Sequence, residues 1–223
     1  MGAAFRAENI EQHYGRRRIL TSCTLEAAEG ECIGVAGRNG SGKSTLLQIL
    51  AGVRRPAGGS LTFRGKNLLA SGSGIGSLVA YVPQTNPLIE ELSARENLQL
   101  LAGRKVSHQE EICQKLQLEE LFPMKVSRMS GGMKRRVAIA CALTEHPPVL
   151  VMDEPTSALD LYQREIIMNY LATYRQEGGI IVMATHDIEE MAFCDRLYLI
   201  RGGTSEECLP EYAVKCIKGE REL

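Results

Sequence analysis

The residues best suited to chemistry lie in one glycine-rich run. Residues 37–44 read GRNGSGKS and match the pattern GxxxxGK[ST] in full. Glycines let a backbone wrap closely around an anion, and successive N–H groups plus the positive end of a following helix then hold phosphates. In this pattern Lys43 reaches the terminal phosphates and Ser44 places its hydroxyl on Mg²⁺. The run therefore predicts a nucleoside triphosphate site. The predicted phosphate-binding residues are Gly37, Arg38, Asn39, Gly40, Ser41, Gly42, Lys43, Ser44 and Thr45.

A pair of acids follows an apolar run further along the chain. Asp153 and Glu154 come directly after residues 149–152, which read VLVM and suit a buried strand. Ligands of open α/β sheets bind beyond the carboxyl ends of the strands, where the glycine-rich run also lies. We expect Asp153 to support Mg²⁺ and Glu154 to act as general base on a water in line with the terminal phosphate. An Asp-Glu pair taken alone is more often a helix start or a solvated turn.

Two further polar residues follow apolar runs in the same way. His186 comes after residues 180–184, and we expect it to contact the terminal phosphate. Gln84 comes after residues 78–83 and could bind the metal or the attacking water. The predicted catalytic set is Lys43, Glu154 and His186, and the predicted metal set is Ser44, Gln84 and Asp153. Taken alone, a histidine is more often structural and a glutamine means nothing.

The elements that must position these residues alternate between strand and helix. A strand over residues 32–36 runs into the glycine-rich loop, and a helix over residues 45–50 ends at Gly52. Strands over residues 149–152, 180–184 and 197–200 are separated by helices over residues 159–175 and 188–193. Continuous apolar strands separated by helices predict a parallel sheet covered on both faces.

The remaining segments break this alternation. Residues 23–27 alternate apolar and polar, as in a half-buried sheet, and residues 61–63 and 78–82 are strand-like. Residues 71–77 predict a flexible loop. Between residues 85 and 146 the pattern is mainly helical: a capping box opens at Ser93, a helix over 110–117 carries the stripe Ile112, Leu116 and Leu118, and a third helix runs from near Ser130 to Leu143. This block predicts an inserted subdomain. The tail from residue 202 predicts only a helix over 212–217.

Composition narrows the choice of partners. The net charge is -1, so no global basic field attracts nucleic acid. The clusters at residues 16–18 and 134–136 predict solvated faces. No apolar run approaches the ~20 residues of a membrane span, and no apolar signal region opens the sequence. Seven cysteines without a CxxC pair predict buried, reduced thiols. We expect a cytoplasmic protein that binds no nucleic acid and meets a membrane only through a partner.

Together these motifs resemble the nucleotide-binding subunit of ATP-binding cassette (ABC) transporters over residues 3–200. Besides the glycine-rich loop and the paired acids, the family's signature motif, D-loop, adenine-stacking aromatic, Q-loop and switch histidine have counterparts. The signature motif corresponds to Ser130, Gly131 and Gly132, and the D-loop to residues 157–160, which end at Asp160. Tyr14 corresponds to the adenine-stacking aromatic, Gln84 to the Q-loop and His186 to the switch histidine. The signature departs from LSGGQ at Met129 and Met133, and its SGGMKRR form is similar to the drug and antibiotic exporter branch. The importer subunits' extra regulatory domain has no counterpart after Ile200.

The resemblance implies a fold, an activity and partners. It implies one domain over residues 1–223 with a P-loop NTPase (RecA-like) core of mainly parallel sheet, an N-terminal antiparallel β subdomain, and a helical insert at about 85–146. It implies hydrolysis of ATP to ADP and phosphate with Mg²⁺. Two cassettes, identical or different, would sandwich ATP, with the signature of one facing the loop of the other. A membrane-spanning permease would hold the chain on the inner face of the cell membrane, with residues 86–88 and Glu91 as candidate contacts.

Two alternatives use the same phosphate loop. A soluble ABC ATPase of DNA repair, cofactor assembly or translation usually carries long coiled coils, zinc ligands or a second cassette, which this sequence does not show. A GTPase should show Asn-Lys-x-Asp, which is missing, and a small-molecule kinase would need a lid over its acceptor. The transported substrate and the direction of transport belong to the membrane partner.

Overall fold

The computed structural model describes residues 2–72 and 74–218. Within these residues, ten strands form a single sheet. The strands are β1 (Phe5–Tyr14), β2 (Arg17–Ala27), β3 (Cys32–Ala36), β4 (Gly58–Phe63), β5 (Lys66–Asn67), β6 (Val79–Val82), β7 (Val149–Asp153), β8 (Ile180–Ala184), β9 (Arg196–Arg201) and β10 (Thr204–Cys208). The helices are α1 (Lys43–Leu50), α2 (Ile75–Leu78), α3 (Ala94–Ala102), α4 (Glu111–Lys115), α5 (Gly131–Leu143), α6 (Leu161–Gln176), α7 (Ile188–Phe193) and α8 (Pro210–Lys218).

The sheet has an antiparallel part and a parallel part. The strand order is β5-β4-β1-β2-β10-β9-β3-β8-β7-β6. β1, β2, β4 and β5 pair antiparallel, whereas β9, β3, β8, β7 and β6 pair parallel. β10 joins the two parts, since it pairs parallel with β2 and antiparallel with β9. The fold class predicted from the sequence is confirmed, including the N-terminal antiparallel part and the helical insert.

The central strands separate two hydrophobic cores. Successive side chains of a strand point to opposite faces of the sheet. In β7, Leu150 and Met152 pack into one core while Val149 and Val151 pack into the other. The first core also contains the buried side chains of α3, α4, α5 and α6, and the second contains those of α1 and the antiparallel strands. Burial on both faces explains why these strands are apolar at every position.

Side-chain caps fix where the longer helices begin. Ser93 and Glu96 form the predicted capping box at the start of α3, with hydrogen bonds in both directions. Ser130 Oγ accepts from Met133 N at the start of α5, and Asp160 accepts from Gln163 N at the start of α6. Such caps satisfy N–H groups that have no partner inside the helix. The sequence predicted that this helix begins at residue 159. Because Asp160 is its cap, α6 begins at Leu161.

Several element predictions require correction. The loop predicted over 71–77 is wrong at residues 75–77, where α2 forms; residue 73 lies outside the described residues. The strand predicted from residue 78 begins at Val79, and the helix predicted over 110–117 is only α4, although Ile112, Leu116 and Leu118 are buried as predicted. β10 has no counterpart in the prediction because its sequence, TSEEC, is polar. The predicted helix over 212–217 lies inside α8.

The basic cluster at residues 134–136 is not a solvated face, so that prediction is wrong. Arg135 and Arg136 are each 4% exposed, and their guanidinium groups donate to backbone carbonyls. Hydrogen bonds to these backbone carbonyls compensate for the burial of each charge. The carbonyls belong to residues distant in the sequence, so nothing in the local sequence reveals them. Residues 16–18 are exposed, as predicted.

The seven cysteines differ in their burial. Cys23, Cys32, Cys113 and Cys141 are buried, whereas Cys194, Cys208 and Cys216 are partly exposed. Most of the thiols therefore pack as small apolar side chains, as predicted.

Among the described residues, no helix combines the length and the apolar content that crossing a membrane requires.

Candidate functional site

A tight loop links β3 to α1, and two of its positions require glycine. Gly37 has a φ of +152°, and an added Cβ would lie 2.7 Å from Ser41 Oγ and 2.8 Å from the carbonyl oxygen of Ile200. Gly42 has a φ of +108°, and its Cβ would lie 2.9 Å from Leu20 Cδ2. A side chain at either place would meet both an unfavourable backbone conformation and a steric clash. The sequence pattern thus has a direct geometric cause in this chain.

Lys43 is the first residue of α1 and its side chain folds back over the loop. Its Nζ donates to the carbonyl oxygens of Gly37 at 2.8 Å and of Arg38 at 3.3 Å. Burial lowers the pKa of the ammonium, and the nearby carboxylates of Glu154 and Asp153 oppose that effect. The charge is therefore held above the loop, near the acids at the end of β7.

The loop, the acids and the polar residues of the other strands surround one cavity of about 880 Å³. Its described lining residues are Arg17, Ile19, Gly37, Arg38, Asn39, Gly40, Gly42, Lys43, Ser44, Thr45, Gln84, Asp153, Glu154, His186 and Ile217. The sequence analysis did not place Arg17, Ile19 or Ile217 at the site, and Arg17 appeared there only in a basic cluster expected to be solvated. They come from β2 and α8, and no motif marks them, because only the tertiary fold brings them to the cavity.

The floor of this cavity suits an anion. The residue that caps α1, Gly42, offers no side-chain hydrogen bond, so the first N–H groups of the helix are left for an external acceptor. Ser41 belongs to the loop but is not among the described lining residues, and its buried Oγ has no hydrogen-bond partner within the described part of the chain. Uncapped amides, a helix N-terminus and a buried ammonium together form a site for phosphate groups.

The acids at the end of β7 have different surroundings. Asp153 is the last residue of the strand and is only 5% exposed. Glu154 has a φ of +48° and donates its N–H to the carbonyl oxygen of Ala184 at 2.9 Å. A left-handed conformation costs a residue with a side chain about 1–2 kcal/mol. Such strain at the edge of a cavity is typical of functional positions.

The carboxylate of Glu154 lies between two of the other predicted residues. Gln84 Nε2 donates to its Oε2 at 2.9 Å, and His186 Nδ1 lies 3.1 Å from its Oε1. These three residues follow β6, β7 and β8, which are adjacent parallel strands. The sequence predicted that all three lie at one sheet edge. It did not predict the two contacts, which depend on the order of the strands.

Oxygen donors that suit Mg²⁺ also border the cavity. Ser44 carries a hydroxyl, Gln84 an amide oxygen and Asp153 a carboxylate, and all three residues line the cavity near the loop. Mg²⁺ is usually held by one or two carboxylates, water and the phosphates of a substrate. The predicted metal set therefore fits such an ion together with a triphosphate.

The remaining predicted ATP-binding residues lie elsewhere. Tyr14 is 43% exposed, and the guanidinium of Arg54 lies over its ring at 4.9 Å. Ser130, Gly131 and Gly132 open α5, and Asp160 caps α6. Within the described residues, none of these five lines the cavity. In this single chain they do not contribute to the site that Lys43 and Glu154 share.

The fold and the cavity define a class of protein. A glycine-rich loop between a strand and a helix, with paired acids at the end of a parallel strand, is the phosphate site of P-loop nucleotide-binding proteins. The sequence profile of the family described as ABC transporter matches residues 20–157. The chain belongs to that family.

Curated relatives agree with this assignment. The Nod factor export ATP-binding protein I of Rhizobium etli is 35% identical over 205 residues, which cover 88% of this chain and 65% of that protein. The protein of the same name from Sinorhizobium fredii is 35% identical over 209 residues, covering 90% of this chain and 61% of that protein. The chain thus spans less than two thirds of the length of these two relatives.

Solved structures share the fold over nearly the whole chain. A Clostridium perfringens protein described as part of an ABC transporter complex has a TM-score of 0.82 at 27% identity, covering 97% of this chain and 93% of that one. An ATP-binding cassette solved as a dimer with ADP and phosphate has a TM-score of 0.80 at 29% identity, covering 92% and 98%.

Proposed function

We propose that this chain binds ATP with Mg²⁺ in the cavity between the glycine-rich loop and β7, and hydrolyses it to ADP and phosphate. The observation that carries the proposal is the placement of the Glu154 carboxylate. It is held by Gln84 and His186 at the edge of the same cavity whose floor is the anion-binding loop. A carboxylate beside a phosphate site, fixed from both sides, suits a general base for an attacking water.

Each predicted residue has a role in this proposal. The backbone of residues 37–45 and the ammonium of Lys43 hold the phosphates, and Ser44, Gln84 and Asp153 hold the metal. A bound Mg²⁺ would neutralise charge on the phosphate oxygens. Glu154 takes a proton from water, and it has the capacity to do so: two carboxylate oxygens offer about four acceptor positions, of which the two contacts use only part. His186, which lines the same cavity, would contact the terminal phosphate.

We further propose that the chain works as a pair of cassettes attached to a membrane-spanning partner. Ser130, Gly131 and Asp160 are exposed on the single chain and lie outside the cavity, which is consistent with contacts to the ATP of a second cassette. Tyr14 would stack on adenine after Arg54 moves from its ring. The names of the relatives favour export. In this proposal the membrane-spanning partner holds the chain on the inner face of the cell membrane. Residues 1–223 would then be one ATPase domain, with 85–146 as its helical insert.

The first experiment compares wild type with Glu154→Gln. We expect slow ATP hydrolysis by wild type that stops when Mg²⁺ is chelated. In the variant, turnover should fall by about 10²–10⁴-fold while ATP affinity is kept, because the amide preserves size but cannot accept the proton. A phosphate-release assay measures turnover and calorimetry measures affinity.

The matched control is Glu145→Gln, an exposed carboxylate that pairs with Arg104 at 3.5 Å on the surface. Its turnover should equal that of wild type. Unchanged turnover in Glu154→Gln would remove Glu154 from the role of base. Wild type that binds no ATP at millimolar concentration would overturn the whole proposal.

A further inference from the structure

We propose that Arg135 is a positioning residue for ATP hydrolysis, which fixes the backbone on both sides of the cavity edge so that Gln84 and Glu154 meet. The inference rests on the proposed function and adds a residue to it. Arg135 belongs to α5 and contacts neither the glycine-rich loop nor the carboxylate of Glu154 in the described residues. It acts through the main chain that carries the reacting groups.

The hydrogen bonds of Arg135 use all five N–H groups of its guanidinium. Nη2 donates to the carbonyl oxygens of Asp153 at 2.7 Å and of Glu154 at 3.2 Å, and Nε donates to that of Pro155 at 3.0 Å. Nη1 donates to the carbonyl oxygen of Pro83 and lies 3.5 Å from Asn86 Oδ1. One side chain therefore joins the segment after β7 to the segment after β6.

The hydrogen bonds of Arg135 stabilise a backbone conformation at Glu154 that is unfavourable by itself. Glu154 has a positive φ, so its peptide stays in place only where neighbours fix it. Its N–H is held by the carbonyl of Ala184 in β8, and its carbonyl is held by Arg135. Pro83 directly precedes Gln84, whose amide donates to the Glu154 carboxylate. The same guanidinium thus holds the carbonyl of Glu154 and the carbonyl directly before Gln84.

The cost of burying Arg135 argues against a merely space-filling role. Its side chain is 4% exposed, and burial lowers its pKa to about 10 in spite of the carboxylates of Glu190, Asp153 and Glu154 nearby. The group still carries its charge at neutral pH. An apolar residue of similar size fills a core at a lower cost in free energy. What only arginine supplies is a planar fork that reaches several carbonyls at once.

Arg135 lies close to the start of α5, the helix that the signature residues open. α5 begins at Gly131, directly after Ser130, and Arg135 lies about one turn further along the same helix. The exposed start of α5 is where a second cassette would bind. Arg135 therefore joins the helix that begins at that surface to the backbone of Glu154.

The test compares Arg135→Lys with Arg136→Lys. Both arginines are 4% exposed and adjacent in α5, but Arg136 donates to the carbonyls of Leu116 and Gln117, away from the cavity. Lysine keeps the charge and offers three donors from a single nitrogen, so it cannot span the carbonyls that Arg135 joins. Arg136→Lys therefore also disturbs buried hydrogen bonds of α5, two where Arg135 makes five, but at a place away from the cavity.

For Arg135→Lys we expect kcat to fall about 10–100-fold, because misplacement of a base by about 1 Å has such an effect. ATP affinity, measured by calorimetry, should change less than about threefold, since the loop is untouched. Hydrogen exchange in nucleotide-free protein should rise in the segments around 84–86 and 153–156. For Arg136→Lys, kcat should stay close to wild type and exchange should rise around 116–118.

Three outcomes would overturn the inference. They are a wild-type kcat in Arg135→Lys, unchanged exchange around 84–86 and 153–156, or an equal loss of kcat in both variants, which would indicate general destabilisation. If wild type does not hydrolyse ATP, the proposed function fails. The exchange comparison still decides whether Arg135 orders the two segments.

Discussion

At the scale of single residues, the site depends on one carboxylate with fixed neighbours. Glu154 is strained in its backbone and bonded through its side chain to Gln84 and His186. Each neighbour contacts a different oxygen of the carboxylate, which lines the cavity. The strained backbone and the two side-chain contacts together fix the position of the carboxylate.

The phosphate loop gives a second prediction at this scale. Lys43→Ala should weaken ATP binding by at least about 100-fold, because a charge-assisted contact in a buried site is lost together with the ammonium that holds the loop. Binding to wild type should also weaken as the pH rises: the lowered pKa means that Lys43 loses its proton earlier than a free lysine. Calorimetric titration at several pH values measures both effects.

The control is Lys66→Ala, which removes an exposed lysine from β5. Its ATP affinity should match that of wild type at every pH. Equal affinity of Lys43→Ala and wild type would contradict the role given to Lys43.

At the scale of elements, the sequence predicted those features that depend on residues close together in the chain. The capping box at Ser93, the start of α5 and the bounds of α7 all follow from residues within one or two turns, and the structure confirms them. The glycine-rich loop was predictable for the same reason. The acids and His186 could be placed at one sheet edge, because each follows an apolar run.

Strands and side-chain contacts that depend on residues distant in the sequence were not predictable. β10 is polar in sequence and pairs because β2 and β9 present open backbone groups beside it. Arg135 and Arg136 read as a solvated cluster, since the carbonyls that bind them come from residues 18 to 52 positions away. Ile217 lines the cavity only because α8 packs near it. Strand order and packing, not local pattern, decide these cases.

The start of α5 allows a prediction with a matched pair. A Cβ added to Gly132 would lie 2.5 Å from Gln163 Cγ and 2.8 Å from its Cβ, whereas one added to Gly131 meets nothing within 4 Å. We expect Gly132→Ala to destabilise the monomer by about 1–3 kcal/mol through overpacking. At about 2–4 °C per kcal/mol, this lowers Tm by several degrees. Gly131→Ala should leave Tm within about 1 °C.

Differential scanning calorimetry without nucleotide compares the two variants. Equal Tm values would show that α6 moves away from α5 without cost. The comparison also separates stability from function: an effect of Gly131→Ala on hydrolysis alone would favour contact with a second cassette.

At the scale of the whole molecule, the exposed signature suggests that one chain holds only half of each site. We expect Glu154→Gln with Mg²⁺ and ATP to form a dimer of twice the 24.5 kDa chain, since bound ATP that is not hydrolysed stays in the interface. ADP should leave a monomer. Size-exclusion chromatography with light scattering gives the masses.

The control carries Gly131→Arg in addition. Gly131 has open space around it, so the bulky side chain should leave the monomer intact and block only the approach of a second chain. This double variant should bind ATP as a monomer. A monomer in Glu154→Gln at saturating ATP would contradict a homodimer.

The alternation of the central strands between two cores also limits how the chain can diverge. In β7, Leu150 and Met152 belong to one core and Val149 and Val151 to the other. Loss or gain of one residue inside the strand would turn every later side chain to the opposite face, and Asp153 with it. Over evolutionary time, β7 can therefore exchange one apolar residue for another but cannot change in length. We expect changes in length to be tolerated in the surface loops between elements instead.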